Sequence, residues 1–290
     1  MVNTSNQEGL VQFLVTYFKL KHLVCLIILT AFFISCLSGY KKKKFYNDDG
    51  KLVMQEWYDK NSLKSNITFL DDIHNDYISV SYYEDGRLMD SAKYINDTVD
   101  GLRKFYEANS ELMHFENYKN GFLNGFHKAI YSNGITSFEG YRLNGYKAGE
   151  WKFHYSDGRP ITYEYYDSTG KIKYFRKYNE EGEAVKVSGS GLISIYPENK
   201  SIRVSDTLRG YVEAAIPPAC KVILSIKEAV DEQNPDNFFI TELKKSKIEW
   251  NRKFGSAGMK NLIFKINIKD LKSGKEEEYI AEQKINVKAD

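Results

Sequence analysis

From Tyr46 onward the chain sets apolar and polar residues in short alternating runs. In Trp151-Lys152-Phe153-His154-Tyr155, and again between Ile172 and Tyr178, aromatic or β-branched residues are interleaved with polar ones. That is the period of a half-buried strand. The runs are separated by Asp49-Gly50, Asp85-Gly86, Asn120-Gly121, Asn133-Gly134 and Asp157-Gly158. These residue types tolerate the positive φ that tight hairpin turns require, so the chain is expected to reverse at each. Further on, apolar positions recur in Leu192 to Tyr196, Leu208 to Ala214, Lys221 to Lys227, Phe238 to Leu243, Lys260 to Ile268 and Glu278 to Val287. Leu262, Phe264, Ile266 and Ile268 alternate cleanly with Lys265, Asn267 and Lys269 and mark one buried face, after which Ser273-Gly274 predicts a hairpin. No amphipathic helix competes with this reading.

The turn signals keep a fixed interval. Ser62, Gly86, Ser110, Gly134, Gly158 and Gly182 stand 24 residues apart, and a second set, Gly101, Gly125 and Gly149, repeats in phase. Half-steps of 12 join Gly158, Gly170 and Gly182. The unit is a strand with its turn, used twice, and equivalent side chains should form ladders on every second strand. At these residues the chain resembles MORN repeats of the bacterial type, with the motif best matched at Tyr141, Gly145, Gly149, Trp151, Tyr155 and Gly158. The resemblance covers residues 46–185 and implies an elongated antiparallel β-meander of hairpin repeats with an interaction face and no chemistry. A related label for such repeats, antitoxin-like, implies as an alternative an intracellular partner that neutralises another protein.

Ahead of the repeats, Leu23 to Leu37 form an apolar run of fifteen residues preceded by Lys19, Lys21 and His22. It is short for a membrane span and has the length of a secretory signal core. Ile34-Ser35-Cys36 at its end resembles the lipobox of bacterial lipoproteins, which implies lipidation of Cys36 and an anchored protein of the bacterial cell envelope. The expected plan is therefore a signal helix over 1–36, a basic tether over 37–45 containing Lys41 to Lys44, and repeats over 46–185. A flexible linker over 186–191 around Ser188-Gly189-Ser190-Gly191 and a β-sandwich over 192–290 complete it. The last resembles immunoglobulin-like domains only generically, because their Cys, Trp, Cys spacing is missing. The fold class is all-β.

Composition narrows the function more than it names it. Seventeen of the 22 tyrosines fall between Tyr46 and Tyr178, and a tyrosine ring packs while its hydroxyl meets water. The 41 basic and 39 acidic residues leave a net charge of +2, which gives no nucleic-acid signature. Residues 46–185 carry 17 basic and 23 acidic side chains, a net −6 that argues against an anionic lipid surface as their ligand. Cys25 belongs to the signal and Cys220 has no partner, so the fold rests on packing rather than disulfides. His114, His127 and His154 occupy different columns of the repeat, and no HExxH, CxxC, Walker or nucleophile-elbow spacing occurs. No cofactor and no metal are expected.

The reading that results is a lipid-anchored, non-catalytic scaffold or binding protein, its membrane contact made through the lipid on Cys36 and its other partner a protein or a glycan. Trp151, Tyr155, Tyr131 and Tyr141 are the candidate binding residues, and Gly86, Gly125, Gly134, Gly149, Gly158 and Gly182 the structural glycines. The rival reading is a hydrolase or glycan-binding protein with a site at the domain junction, since exposed aromatics stack on sugar rings.

Overall fold

The computed structural model describes residues 41–71, 73, 75–107, 112–229 and 236–290. Among them every regular element is a strand, as the alternation predicts. The proposed signal segment and Cys36 lie outside the described residues. The chain divides into two compact units, Met1–Leu88 and Met89–Asp290.

The first unit holds β1 (Lys41–Tyr46), β2 (Leu52–Trp57), β3 (Leu63–Phe69) and β4 (Tyr77–Tyr82), each antiparallel to the next. The lysines expected in a tether are in β1, where Lys44 opposes Met54 and Lys42 reaches Glu56 at 2.5 Å. Four consecutive lysines suit an edge strand, because their charge discourages further strand addition while their stems cover the neighbouring strand. Between β1 and β2, Asn47 N–H donates to Lys51 O and Gly50 N–H to Asn47 O.

The same two bonds recur at Tyr131 to Ile135, Tyr155 to Arg159, Asp167 to Lys171 and Asn179 to Glu183 in the second unit. Each is a three-residue hairpin loop whose glycine has positive φ, from +76° at Gly182 to +87° at Gly158. The repeat strands there are β5 (Leu88–Ile95), β6 (Thr98–Val99), β7 (Gly101–Tyr106), β8 (Leu112–Lys119) and β9 (Phe122–Tyr131). They continue as β10 (Thr136–Leu143), β11 (Tyr146–His154), β12 (Pro160–Tyr166), β13 (Ile172–Tyr178) and β14 (Ala184–Gly189). They run as a meander in chain order, with the short β6 pairing β5 off the path.

Turns along one edge are stitched to each other a period apart. Tyr131 Oη donates to His154 O at 3.0 Å, Asn133 Nδ2 to Ser156 O at 2.7 Å, and Arg159 to Glu180 O. On the other edge Gly145 N–H reaches Leu123 O at 2.7 Å and Gly121 N–H reaches Val99 O at 2.9 Å. A one-layer meander has no second sheet to hold its loops, so these bonds fix them instead. Gly125 and Gly149 are not in hairpin turns. They sit inside β9 and β11 where the pairing register slips, the position of a β-bulge.

After β14 come two further sheets. One contains β15 (Leu192–Pro197), β17 (Thr207–Ala214) and β20 (Lys247–Lys253). The other, in spatial order, is β16 (Ser201–Arg203), β22 (Glu276–Lys288), β21 (Gly258–Asp270), β18 (Cys220–Glu228) and β19 (Asp236–Glu242). The strands expected from the sequence are all present, and β16 and β20 are additional. Val212, Leu224, Ile226, Trp250, Phe264, Ile266 and Ile285 form the core between them.

That core continues into the meander. Tyr163 and Tyr165 of β12 and Tyr174 and Tyr178 of β13 belong to the same buried cluster. Arg176, 2% exposed, lies between Asp270 and Glu277, bonded to both. Tyr163 Oη accepts Ile216 N–H at 2.8 Å, and Tyr178 Oη donates to Pro218 O at 3.1 Å. Residues 186–189, expected to open a joint, are the end of β14, and Gly191 is packed so closely that a Cβ would stand 2.6 Å from Ile268 Cδ1. The expected boundary at 186–191 therefore falls inside the second unit, where the small residues serve close packing.

Candidate functional site

Strand alternation gives the meander of the second unit two faces. One carries a row of rings from β7 to β11: Phe105 stacks on His114 at 4.5 Å, His114 meets Phe138, and Phe138 meets His127, Trp151 and Phe153. Trp151, expected to bind a ligand, is 1% exposed. Its ring lies over Gly140, with Lys147 Nζ 4.8 Å and Arg142 Cζ 5.3 Å from the ring centre, and its Nε1 donates to Tyr141 O at 3.0 Å. The indole is a structural anchor, and it offers no ring face to a partner. On a one-layer sheet, long cationic side chains laid over the rings take the place of a second layer.

His127 is the polar centre of this face. Arg142 Nε donates to its Nδ1 at 3.2 Å, which makes Nδ1 the unprotonated nitrogen, and Nε2 lies 3.3 Å from Glu116 Oε1 without hydrogen-bond geometry. Burial pushes His127 down to about 4, with Glu116 opposing and Arg142 adding to the effect. The imidazole is neutral at pH 7, so His127 is an acceptor rather than a cation.

The other face bears Tyr141 on β10, 50% exposed, directly opposite Phe126 on β9, 45% exposed. Next to them the covering sheets begin. A crevice of about 230 Å³ is lined there by Phe126, Glu139, Gly140, Tyr141, Glu150 and Lys152, with Ser246 from the loop before β20. Glu150 Oε1 accepts the Tyr163 hydroxyl at 2.6 Å, while Glu150 Oε2 stands 3.7 Å from Lys152 Nζ.

Of the remaining expected residues, Tyr131 and Tyr155 occupy equivalent turn positions and are not brought to the crevice. Tyr131 uses its hydroxyl on His154 O, and Tyr155 lies under the Arg159 guanidinium, 5.6 Å from its ring centre. Sequence reasoning missed Phe126, Glu139, Glu150 and Lys152. Phe126 had a signal, because an aromatic stands where its repeat equivalents are Leu102 and Glu150.

A larger groove of about 610 Å³ lies on the outer face of the five-stranded sheet, lined by Ile223, Ile240, Ile263 and Ile280 with Lys227 and Lys265. It gathers no cluster of chemically active groups. Among the described residues no three His, Cys, Asp or Glu side chains are placed to hold a metal ion. Cys220 is half-buried, and burial pushes its thiol up to about 11, Arg176 opposing, so it is a poor nucleophile at neutral pH. No protein-family model matches the chain, and no curated protein matches it.

Proposed function

We propose that the protein is a non-catalytic binding module of the bacterial cell envelope, anchored by lipid on Cys36, in which a sheet of MORN-like hairpin repeats, followed by an immunoglobulin-like β-sandwich, serves as a scaffold or binding surface. The observation that carries the binding reading is the crevice lined by Ser246, where two half-exposed rings, Phe126 and Tyr141, stand beside carboxylates and a lysine. Support for the anchor comes from the apolar run ending at Ser35-Cys36 behind its basic flank. One acyl chain alone holds a protein only marginally, and two or three hold it firmly, at about 0.8 kcal/mol per buried methylene. Cys36→Ala should move the protein from envelope membranes to the soluble fraction; a variant that still pellets after a high-salt wash removes the lipid anchor from this reading.

Glu139 and Glu150 in one crevice favour a second reading, a glycan hydrolase using a carboxylate pair. Incubation with oligosaccharides separates the two. Reducing ends released by the wild type and not by Glu139→Gln would replace the non-catalytic reading.

A further inference from the structure

The crevice combines four properties that together specify a ligand. Phe126 and Tyr141 are directly opposite each other on adjacent strands, so both rings stand on the same face of the sheet. Both are mounted on pinned backbone: Asn117 Nδ2 donates to Phe126 O at 2.8 Å, and Trp151 Nε1 to Tyr141 O at 3.0 Å. A partner that stacks there meets rings mounted on backbone that is already fixed, which favours affinity. The Tyr141 hydroxyl and the Glu139 carboxylate make no hydrogen bond or ion pair with the described residues, while Glu150 is held by Tyr163. At the rim, Lys152 and Ser246 supply donors beside these acceptors.

Alternative ligand classes fit less well. β9, β10 and β11 are each paired on both sides, so no strand can be added by backbone bonding. Two carboxylates against one lysine leave the lining at −1, which repels phosphates and acidic sugars. A purely apolar ligand would strand the carboxylates and the ammonium without partners. The volume of about 230 Å³ is below the roughly 300–1,000 Å³ of drug-sized sites and takes a single ring. A pyranose meets these conditions: its axial C–H face stacks on an aromatic ring, and its hydroxyls both donate to Glu139 and accept from Lys152.

We propose that the crevice formed by Phe126, Tyr141, Glu139, Lys152 and Ser246 is a subsite for one neutral sugar ring of a glycan. This rests on the binding-module reading and names its ligand class. A monosaccharide in so small and open a site should bind with a Kd of roughly millimolar order.

The test is saturation-transfer and chemical-shift titration of the full-length protein with methyl β-glucoside, methyl N-acetyl-β-glucosaminide and methyl glucuronide. Saturable binding of a neutral glycoside, with the glucuronide weaker, is expected. Tyr141→Ala and Phe126→Ala should each weaken binding about tenfold, the loss of one stacking contact of about 1.4 kcal/mol. Glu139→Gln, which preserves shape, should weaken it several-fold, while Tyr155→Ala, a half-exposed tyrosine outside the crevice, should leave it unchanged. The proposal is overturned by a wild type that binds neither neutral glycoside at concentrations of about 20 mM, by a glucuronide that binds as well as they do, or by wild-type affinity in both Tyr141→Ala and Glu139→Gln. Such a result leaves the anchoring reading to stand or fall on the Cys36→Ala fractionation.

Discussion

Replacing Arg176 by leucine tests whether the meander and the sheets after it are held together by a buried charge cluster. The guanidinium is 2% exposed, and its partners Asp270 and Glu277 are 3% and 21% exposed. Without Arg176, Asp270 keeps the Lys272 and Ser273 N–H groups on Oδ1 at 2.9 Å, but Oδ2 loses its partner. Glu277 keeps the Tyr174 and Tyr279 hydroxyls on Oε2 at 2.9 and 2.7 Å; its Oε1 also loses Arg176, but at 21% exposure water reaches it. Removing one member of a buried pair costs about 3–5 kcal/mol, and because only Asp270 of the two carboxylates is sealed from water the low end, about 3 kcal/mol, applies.

Acid should narrow this gap. Burial works against the Asp270 charge, yet the Ser273 and Lys272 amides and Arg176 together hold its pKa below the ordinary value in the wild type. Its contribution is thus complete above an unfolded pKa of about 3.9 and lost as pH falls through the lower folded value. In Arg176→Leu, burial without the counter-charge raises the folded pKa, and acid relieves the penalty. Urea denaturation followed by circular dichroism should give about 3 kcal/mol at pH 7 and clearly less at pH 3.5, with Asp270→Asn recovering part of the loss in the double variant. A cost under about 1 kcal/mol at pH 7, or one independent of pH, refutes the account.

Three further outcomes are expected. His127 is neutral when folded and protonates near 6.5 when unfolded, so stability is complete above about pH 6.5 and falls towards pH 4; thermal melts should show His127→Gln removing about 1–2 kcal/mol of that pH dependence, less than the full shift because water partly reaches the site. Gly140→Ala places a Cβ 2.2 Å from Trp151 Cδ2 and should cost about 3 kcal/mol by chemical denaturation, whereas Gly134→Ala, in open space at φ +84°, should cost only about 1 kcal/mol of backbone strain. Cys220 should react with iodoacetamide at pH 8 roughly 100-fold more slowly than free cysteine, measured by mass spectrometry on the folded protein.

The strands and loops were legible because both are local. Every Asn-Gly or Asp-Gly pair read as a reversal is one, and eight tyrosines, at 46, 58, 82, 94, 106, 118, 166 and 178, fall on a single 12-residue lattice near the strand ends. What could not be read is which face another part of the chain covers. The period makes Trp151 equivalent to His127 and Arg103, but only the folded cationic side chains of Arg142 and Lys147 reveal that its ring is closed off. Tyr141 and Tyr165 are likewise equivalent in the repeat, yet Tyr165 is buried beneath the following sheets and Tyr141 is left open beside them. Gly125 and Gly149 resembled turn glycines since bulges and turns share the demand for positive φ. Ser188 to Gly191 suggested slack because small residues serve mobility and tight packing equally well in sequence terms.

The stitching of turn to turn at 24-residue separation sets how such a sheet can grow. Duplicating one whole period would insert two strands, lengthening the array by about 10 Å while returning the chain to the same edge with the same face upward. Duplicating a half-period would instead reverse the exit direction, carrying Tyr163, Tyr174 and Arg176 away from the partners they now meet. Changes in length that preserve the junction are therefore confined to whole periods, and the reach of the protein is available in discrete steps.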